Sequence, residues 1–324
     1  MLFTRLNAFF NPEQFQGWGK KRNYFEGWYY KVVSNDQQKA YAFIPGIAMD
    51  TSGNGHAFIQ VLDGKQKTSA YHRFDIRDFK PSAKKLLLLL NNNSFSENHL
   101  LLDLPGIKGE LHFSGNIPWP KPFYSPGIMG PYAFAPFMEC YHGIVSMDHS
   151  INGELVIGNE KISFADGRGY IEKDWGRSFP SAYFWMQSNH FSRPGISFKC
   201  SVAKIPWIRS SFIGFIAGLW LKDQLYRFTT YNGTKLSRSF ADEKTVVITL
   251  ENRKFLLKVT AHRDNATELA SPIHGFMNGR IEESMTAAID VILTDKRTGN
   301  ILLRDTGKNA GLEVAGSINE IFVG

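Results

Sequence analysis

Apolar and polar positions alternate along most of the chain in short runs, and the apolar ones are mainly aromatic or β-branched. Alternation with a period of two places successive side chains on opposite faces of a strand. The pattern predicts strands over 24–33, 41–48, 56–62 and 69–74, and again over 108–113, 143–147, 161–164, 182–188 and 196–203. It continues through 212–221, 225–230, 245–250, 255–262 and 286–294. Asp63-Gly64, Asn152-Gly153, Asp166-Gly167 and Asn232-Gly233 read as hairpin turns, since both residue types tolerate positive φ. No helical period is sustained beyond the termini. At the N-terminus Leu2, Phe3, Leu6, Phe9 and Phe10 share one face of a short helix, read here as a cap on a barrel end, with a membrane interface as the alternative. The fold class that follows is all-β with little helix.

Compared with itself at an offset of about 155–160 residues, the chain shows a weak repeat of pattern. Gly27-Trp28-Tyr29-Tyr30-Lys31-Val32 falls against Tyr183-Phe184-Trp185-Met186-Gln187-Ser188, residues 56–64 against 215–223, and Tyr71 against Tyr226. Two similar β units are expected, 1–165 and 166–324. Six prolines between 118 and 136, interleaved with Trp119, Phe123, Tyr124, Tyr132 and Phe134, exclude a central strand there. This stretch is expected to be a loop that packs rings over a barrel mouth, with a lid as the functional alternative.

The chain has 324 residues, enough for two domains, and 26 Phe, 12 Tyr and 7 Trp make rings an unusually large part of its apolar content. Rings fill wide β cores and line apolar ligand sites. The excess of 37 Lys+Arg over 30 Asp+Glu gives a net charge of +7, but it is scattered, with short runs such as Lys20-Lys21-Arg22. Without a basic stripe this argues against nucleic acid and keeps open a weak attraction to an anionic membrane surface. Cys140 and Cys200 fit no metal spacing and read as buried thiols. The N-terminus lacks the features of a signal peptide, and no apolar run approaches the ~20 residues of a membrane span. Cytoplasmic residence, with peripheral contact to a membrane as an open alternative, is the default expectation.

There is no Gly-x-Ser-x-Gly elbow, no phosphate-cradling glycine loop and no His-Glu-x-x-His, and the nine histidines form no close metal-type pairs along the sequence. Neither a metal nor a cofactor is expected. What remains is a set of polar residues embedded in aromatic strands, the way an apolar pocket places its few orienting groups. In Gly169-Tyr170-Ile171-Glu172-Lys173-Asp174-Trp175-Gly176, alternation puts Tyr170, Glu172 and Asp174 on one face and Ile171, Lys173 and Trp175 on the other. If the acidic face is desolvated, the Glu172 carboxyl is held protonated towards neutral pH and serves as a general acid. The structural alternative is an ion pair of Glu172 with Lys173 or a nearby Arg. His142 is a candidate to orient a hydroxyl or relay a proton, against the plainer reading of a satisfied rim histidine. Glu26 and Trp28 alternate in the same way, and plain core is the simpler reading of Trp28.

These segments also carry a resemblance. Residues 24–32, Tyr170-Ile171-Glu172-Lys173-Asp174-Trp175-Gly176-Arg177-Ser178-Phe179-Pro180 with Phe184-Trp185-Met186-Gln187-Ser188-Asn189, and Ala270-Ser271-Pro272-Ile273-His274-Gly275 resemble the tocopherol cyclase family in spacing and order. The resemblance implies two lipocalin-like antiparallel barrels packed together, no cofactor or metal, and cyclisation of a prenylated quinol to a chromanol. It points to the acid of this segment, Glu172, as the catalytic carboxyl, and with it Tyr170 and His142 are taken as candidate catalytic residues. Glu26, Trp28, Asp174, Trp175, Trp185, Gln187, Asn189 and His274 would bind an apolar prenylated quinol, terpenoid or lipid. More remotely the chain is similar to carotenoid hydratases, whose Tyr-x-acid-x-x-Trp-Gly segment corresponds to Tyr170, Glu172, Trp175 and Gly176. Asp174 stands where the family more often has Asn. Two other readings stay open: hydration of a terpenoid double bond by the same acid, and a lipocalin-like carrier without turnover. Rings such as Trp28, Trp175 and Trp185 are expected to stabilise a substrate cation.

Overall fold

The computed structural model describes residues 2–324, and its strands form two antiparallel sheets. The first contains β1 (Tyr24–Val33), β2 (Ala40–Met49), β3 (Gly55–Asp63), β4 (Thr68–Asp75), β5 (Phe79–Pro81) and β6 (Leu87–Leu90). It continues with β7 (Asn93–Ser96), β8 (His99–Leu104), β9 (Ile107–Ser114), β10 (Cys140–Ile157), β11 (Glu160–Ser163) and β12 (Gly167–Gly176). The order is β4-β3-β2-β1-β12-β10-β9-β8-β7-β6-β5, with β11 on β10. The second contains β13 (Ala182–Ser188), β14 (Ser197–Trp207), β15 (Ser210–Leu221), β16 (Gln224–Thr229), β17 (Lys235–Ala241) and β18 (Thr245–Glu251). To these it adds β19 (Phe255–His262), β20 (Thr267–Ile273), β21 (Phe276–Asp295) and β22 (Ile301–Gly316). Its order is β16-β15-β14-β13-β22-β21-β19-β18-β17, with β20 on β21.

The all-β expectation holds, and the weak sequence repeat is a repeat of strand rank: β1 and β13, β3 and β15, and β4 and β16 occupy equivalent places in their sheets. Among the described residues no pairing joins β4 to β5 or β16 to β17, so each sheet is an open path. The chain forms two compact units, residues up to Phe179 with Ala270–Arg280, and Pro180–Leu269 with Ile281–Gly324. The division falls at 179/180 rather than near 165, because β12 is hydrogen-bonded between β1 and β10 in the middle of the first sheet. The tip of the β20–β21 hairpin belongs to the first unit. There the Ala270 amide donates to Gln60 Oε1 at 2.9 Å, and the Phe276 ring meets His56 with centroids 5.5 Å apart.

Two sequence signals had other causes. Asn152-Gly153 is no turn but lies inside β10, opposite His112 and Leu111. Gly153 has φ +126, and a Cβ there would stand 2.3 Å from the Glu110 carbonyl oxygen, so the glycine serves a close backbone approach. β22 was not legible because glycine weakens a strand in isolation. Its Gly311 faces the Trp185 ring, which a Cβ would meet at 2.5 Å, so cross-strand packing supplies what local preference lacks. The helix Leu2–Phe10 forms as expected; of its residues only Ala8 is buried, while Leu2, Phe3 and Leu6 face outward. Polar contacts hold it, with Arg5 Nε donating to Trp18 O at 2.8 Å and Gln16 Nε2 to Ala8 O at 2.7 Å.

The core of the first unit lies on one face of β1 and β12. Trp28, Tyr30, Val32 and Ile171 point into it, with Phe43, Phe95 and Leu100 from other strands, all essentially inaccessible. The aromatic interior is therefore filled by the protein's own side chains. His149 is also wholly buried, its Nδ1 3.1 Å from Ser146 Oγ and its ring 4.6 Å from that of Phe113. Burial pulls its pKa down to about 3, keeping the ring neutral. It occupies the space beside Gly169, where a Cβ would lie 2.2 Å from Nε2. Gly169→Ala must displace a rigid buried ring and is expected to cost about 1–3 kcal/mol, read as a lowered urea midpoint at unchanged slope. An unaltered midpoint would refute this packing.

Candidate functional site

β12 carries two different chemistries on its two faces. On the core side Lys173 is fully buried and its Nζ lies 2.5 Å from Glu26 Oε1 and 2.6 Å from the Gln14 carbonyl oxygen. Antiparallel pairing sets Glu26 opposite Trp175 and Trp28 opposite Lys173, so these four share one face. Glu26 further accepts from Tyr24 OH at 2.6 Å, Gly17 N at 2.9 Å and Gln16 N at 2.8 Å. The ammonium sits 4.4 Å from the Trp28 ring centroid and 4.7 Å from that of Trp175. Burial draws the Lys173 pKa down, and Glu26 opposes that shift. Glu26, Trp28 and Trp175 thus surround an internal cation. Alternation had given them a face but not this partner.

On the other face the residues of the acidic stripe converge with His142 of β10. Asp174 Oδ1 is 2.7 Å from His142 Nδ1, His142 Nε2 is 3.3 Å from Glu172 Oε2, and Tyr170 donates its hydroxyl to the same carboxylate oxygen. Glu172 and Tyr170 are buried, His142 is nearly so, and Asp174 is half-buried. Tyr29 stands directly opposite Glu172 on β1 and shares this face. Register pairs His142 with Asp174 and Ile144 with Glu172, after which β10 bulges, so that Ile171 pairs with Ser146. A bulge beside a site re-aims side chains, and this one lies next to Glu172. The structural alternative for Glu172, an ion pair with Lys173, is replaced by this chain, because Lys173 points to the opposite face.

The electrostatics give the members distinct roles. Burial, followed by the Glu172 charge and hydrogen bond, raises the Tyr170 pKa well above the ordinary phenol range, so Tyr170 is a hydrogen-bond donor and not a base. Burial and the neighbouring Asp174 likewise push the Cys140 thiol up, which keeps it inert. With Asp174 accepting from Nδ1–H, the His142 tautomer presents Nε2 to Glu172, and a proton can be shared between that nitrogen and the carboxyl.

Trp185, Gln187 and Asn189 belong to the second unit and are buried there. They stand with groups that the sequence pattern did not single out. Trp185 is opposite Glu313 and Ser201, Gln187 is opposite Lys199, and Glu283 is opposite Glu313. Tyr183 OH donates to Glu313 Oε2 at 2.7 Å, and Lys199 Nζ to Ser201 Oγ at 2.7 Å. Only cross-strand pairing collects this polar face, from residues far apart in sequence. His274 is elsewhere: it lies exposed at the hairpin tip with φ +49, its amide donating to Ser178 Oγ at 2.8 Å.

Among the described residues two groups have donor atoms close enough to share an ion, His142 with Glu172 and Asp174, and His99 with Glu110 and His112. The second is a correction to the reading of isolated histidines, since β8–β9 pairing sets His99 opposite His112.

A profile described as tocopherol cyclase-like matches residues 116–316. The probable chloroplastic tocopherol cyclase of Oryza sativa subsp. japonica is 22% identical, over 92% of this chain and 76% of that protein. The chloroplastic tocopherol cyclase of Zea mays is 25% identical over 199 residues, 58% of this chain and 41% of that protein. Among solved structures, CghA superposes with a TM-score of 0.56 at 10% identity, covering 91% of this chain and 88% of its own. Likeness to that structure at such identity concerns the fold.

The placement of Lys173 and Glu26 carries its own test. Removing one partner of a buried pair leaves an uncompensated charge and costs roughly 3–5 kcal/mol. Lys173→Met is expected to lose that much in chemical denaturation, and a double change with Glu26→Leu is expected to recover part of it. Equal stability of Lys173→Met and the parent would mean that the pair is not internal.

Proposed function

The chain belongs to the tocopherol cyclase-like family, and from that premise we propose that it closes a ring in a prenylated quinol by acid-initiated addition, with Glu172 as the acid. The observation that carries the reading is the Asp174–His142–Glu172–Tyr170 chain on a buried strand face. Glu172 delivers its proton to a trisubstituted prenyl double bond, and the tertiary carbocation is captured by the quinol oxygen. A new C–O bond forms, the quinol O–H proton returns to the Glu172–His142 pair, and the product has the mass of the substrate. Tyr170 stabilises the Glu172 carboxylate formed midway, and Asp174 holds the imidazole in the tautomer that faces Glu172. The ring placed to meet a substrate cation in the first unit is Tyr29, since Trp28 and Trp175 are occupied with Lys173.

The experiment is turnover of a 2-prenylated hydroquinone, followed by chromatography and product mass. Glu172→Gln is expected to lower turnover by ~10²-fold or more while leaving binding largely intact. Asp174→Asn, whose carbonyl oxygen still accepts from Nδ1–H, is expected to retain more activity than Asp174→Ala. Parent-like turnover in Glu172→Gln would end the acid assignment. A product heavier by one water would replace cyclisation by hydration. Recovery of a bound apolar ligand with no turnover in the parent would make the protein a carrier.

A further inference from the structure

The first unit exposes an apolar surface that the Glu172 chemistry does not use. From α1 (Leu2–Phe10), Leu2 is 78% and Phe3 86% exposed, and from the proline-rich loop Phe123 is 78% and Tyr124 75% exposed. Helix and loop are one surface, because Phe10 stacks on Phe123 with centroids 5.2 Å apart and Phe9 meets Phe134 at 5.2 Å. Lys121 ties the two together through Glu13 at 2.6 Å and Asn11 at 3.0 Å. The expectation that these rings would pack inward is met by Trp119 alone, which is buried with Ile128 and Met129, while Phe123, Tyr124 and Phe134 are turned outward. Exposed apolar area of this kind on one contiguous patch marks an interaction surface.

The patch borders a cleft of about 620 Å³ walled by Met129, Phe137, Tyr141 and Trp175. Lys20, Arg22 and Arg177 also line it, and among the described residues no carboxylate does. Lys21 and Arg5 extend the basic character nearby, within a chain of net charge +7. Large rings at the level of basic side chains are the composition of an interfacial lipid-binding element, where aromatic groups enter the headgroup boundary and cations meet lipid phosphates. We propose that this face, α1 with the 118–137 loop and the cleft beside them, docks on the surface of an anionic lipid bilayer. Charge selects that occupant over a second copy of the chain: two such faces would set basic clefts against each other. No helix of the described residues is long and apolar enough to cross a membrane.

The test is co-sedimentation of the full chain with vesicles of pure phosphatidylcholine and with vesicles in which a third of the lipid is phosphatidylglycerol. Binding is expected for the anionic vesicles, falling as salt is raised. Each basic residue near such a surface contributes ~1 kcal/mol, about fivefold in affinity, so Lys20→Ala with Arg22→Ala is expected to weaken binding roughly 30-fold. Phe123→Ser with Tyr124→Ser is expected to weaken it roughly tenfold. Both pairs are exposed, and circular dichroism and thermal midpoint verify that the variants fold. The readout involves no turnover and so is separable from the acid assignment. Equal binding to neutral and anionic vesicles, no binding to either, or unchanged binding in both variants would overturn the proposal. So would a concentration-dependent dimer abolished by Phe123→Ser with Tyr124→Ser, which would give the face to a second copy.

Discussion

The buried ion pair between Lys173 and Glu26 is the contact on which the rest of the first unit depends. It joins β12 to β1 across the centre of the sheet and, through Gln14, Gln16 and Gly17, pulls the N-terminal segment onto the core. Two charges taken out of water are stable only while every hydrogen bond around them is made. Here the carboxylate receives amides, a phenol and the ammonium, and the ammonium lies between two indole rings. This demand leaves little freedom in how β12 pairs. Slipping the register by one residue would turn every side chain of the strand to the wrong face.

The reactive face is a consequence of that constraint. Once Lys173 is fixed inward, Tyr170, Glu172 and Asp174 must point outward, and β10 supplies His142 at the level of Asp174. The relay then has a direction. Asp174 fixes the imidazole, the imidazole meets the Glu172 carboxyl, and Tyr170 donates to that carboxyl from below. The core is packed on one side of these strands and the polar relay lies on the other. The rings are abundant because they build the core, and a separate set of them, on α1 and the loop after β9, is turned to the outside.

The polar face of the second unit repeats the theme with other groups. Glu283 and Glu313 stand opposite one another, like charges whose direct juxtaposition in a sheet is unfavourable unless donors intervene. Tyr183 is one such donor to Glu313. Gly311 makes the room in which the Trp185 ring lies against this pair. In both units, then, carboxylates and a tyrosine gather on the last strand and its neighbours, β12 with β10 in the first and β22 with β13 and β21 in the second, and the weak internal repeat reflects this shared plan of strand order more than any shared residue.

By itself the sequence determined the secondary structure class, most strands of both sheets, and the grouping of Tyr170, Glu172 and Asp174, because a period of two is a local property that needs no partner. It also marked the loop at 118–136 as something other than a strand, since proline cannot donate to a ladder. Partners were beyond it. Glu26 and Lys173 are 147 residues apart, and His142 and Asp174 are 32 apart. Nothing in local spacing says that Trp28 and Trp175 would hold an ammonium instead of a substrate cation, that His99 would face His112, or that β22 would be a strand despite its glycines. Those outcomes were decided by tertiary structure, because the burial of a charge and the packing of a ring depend on which strand arrives alongside.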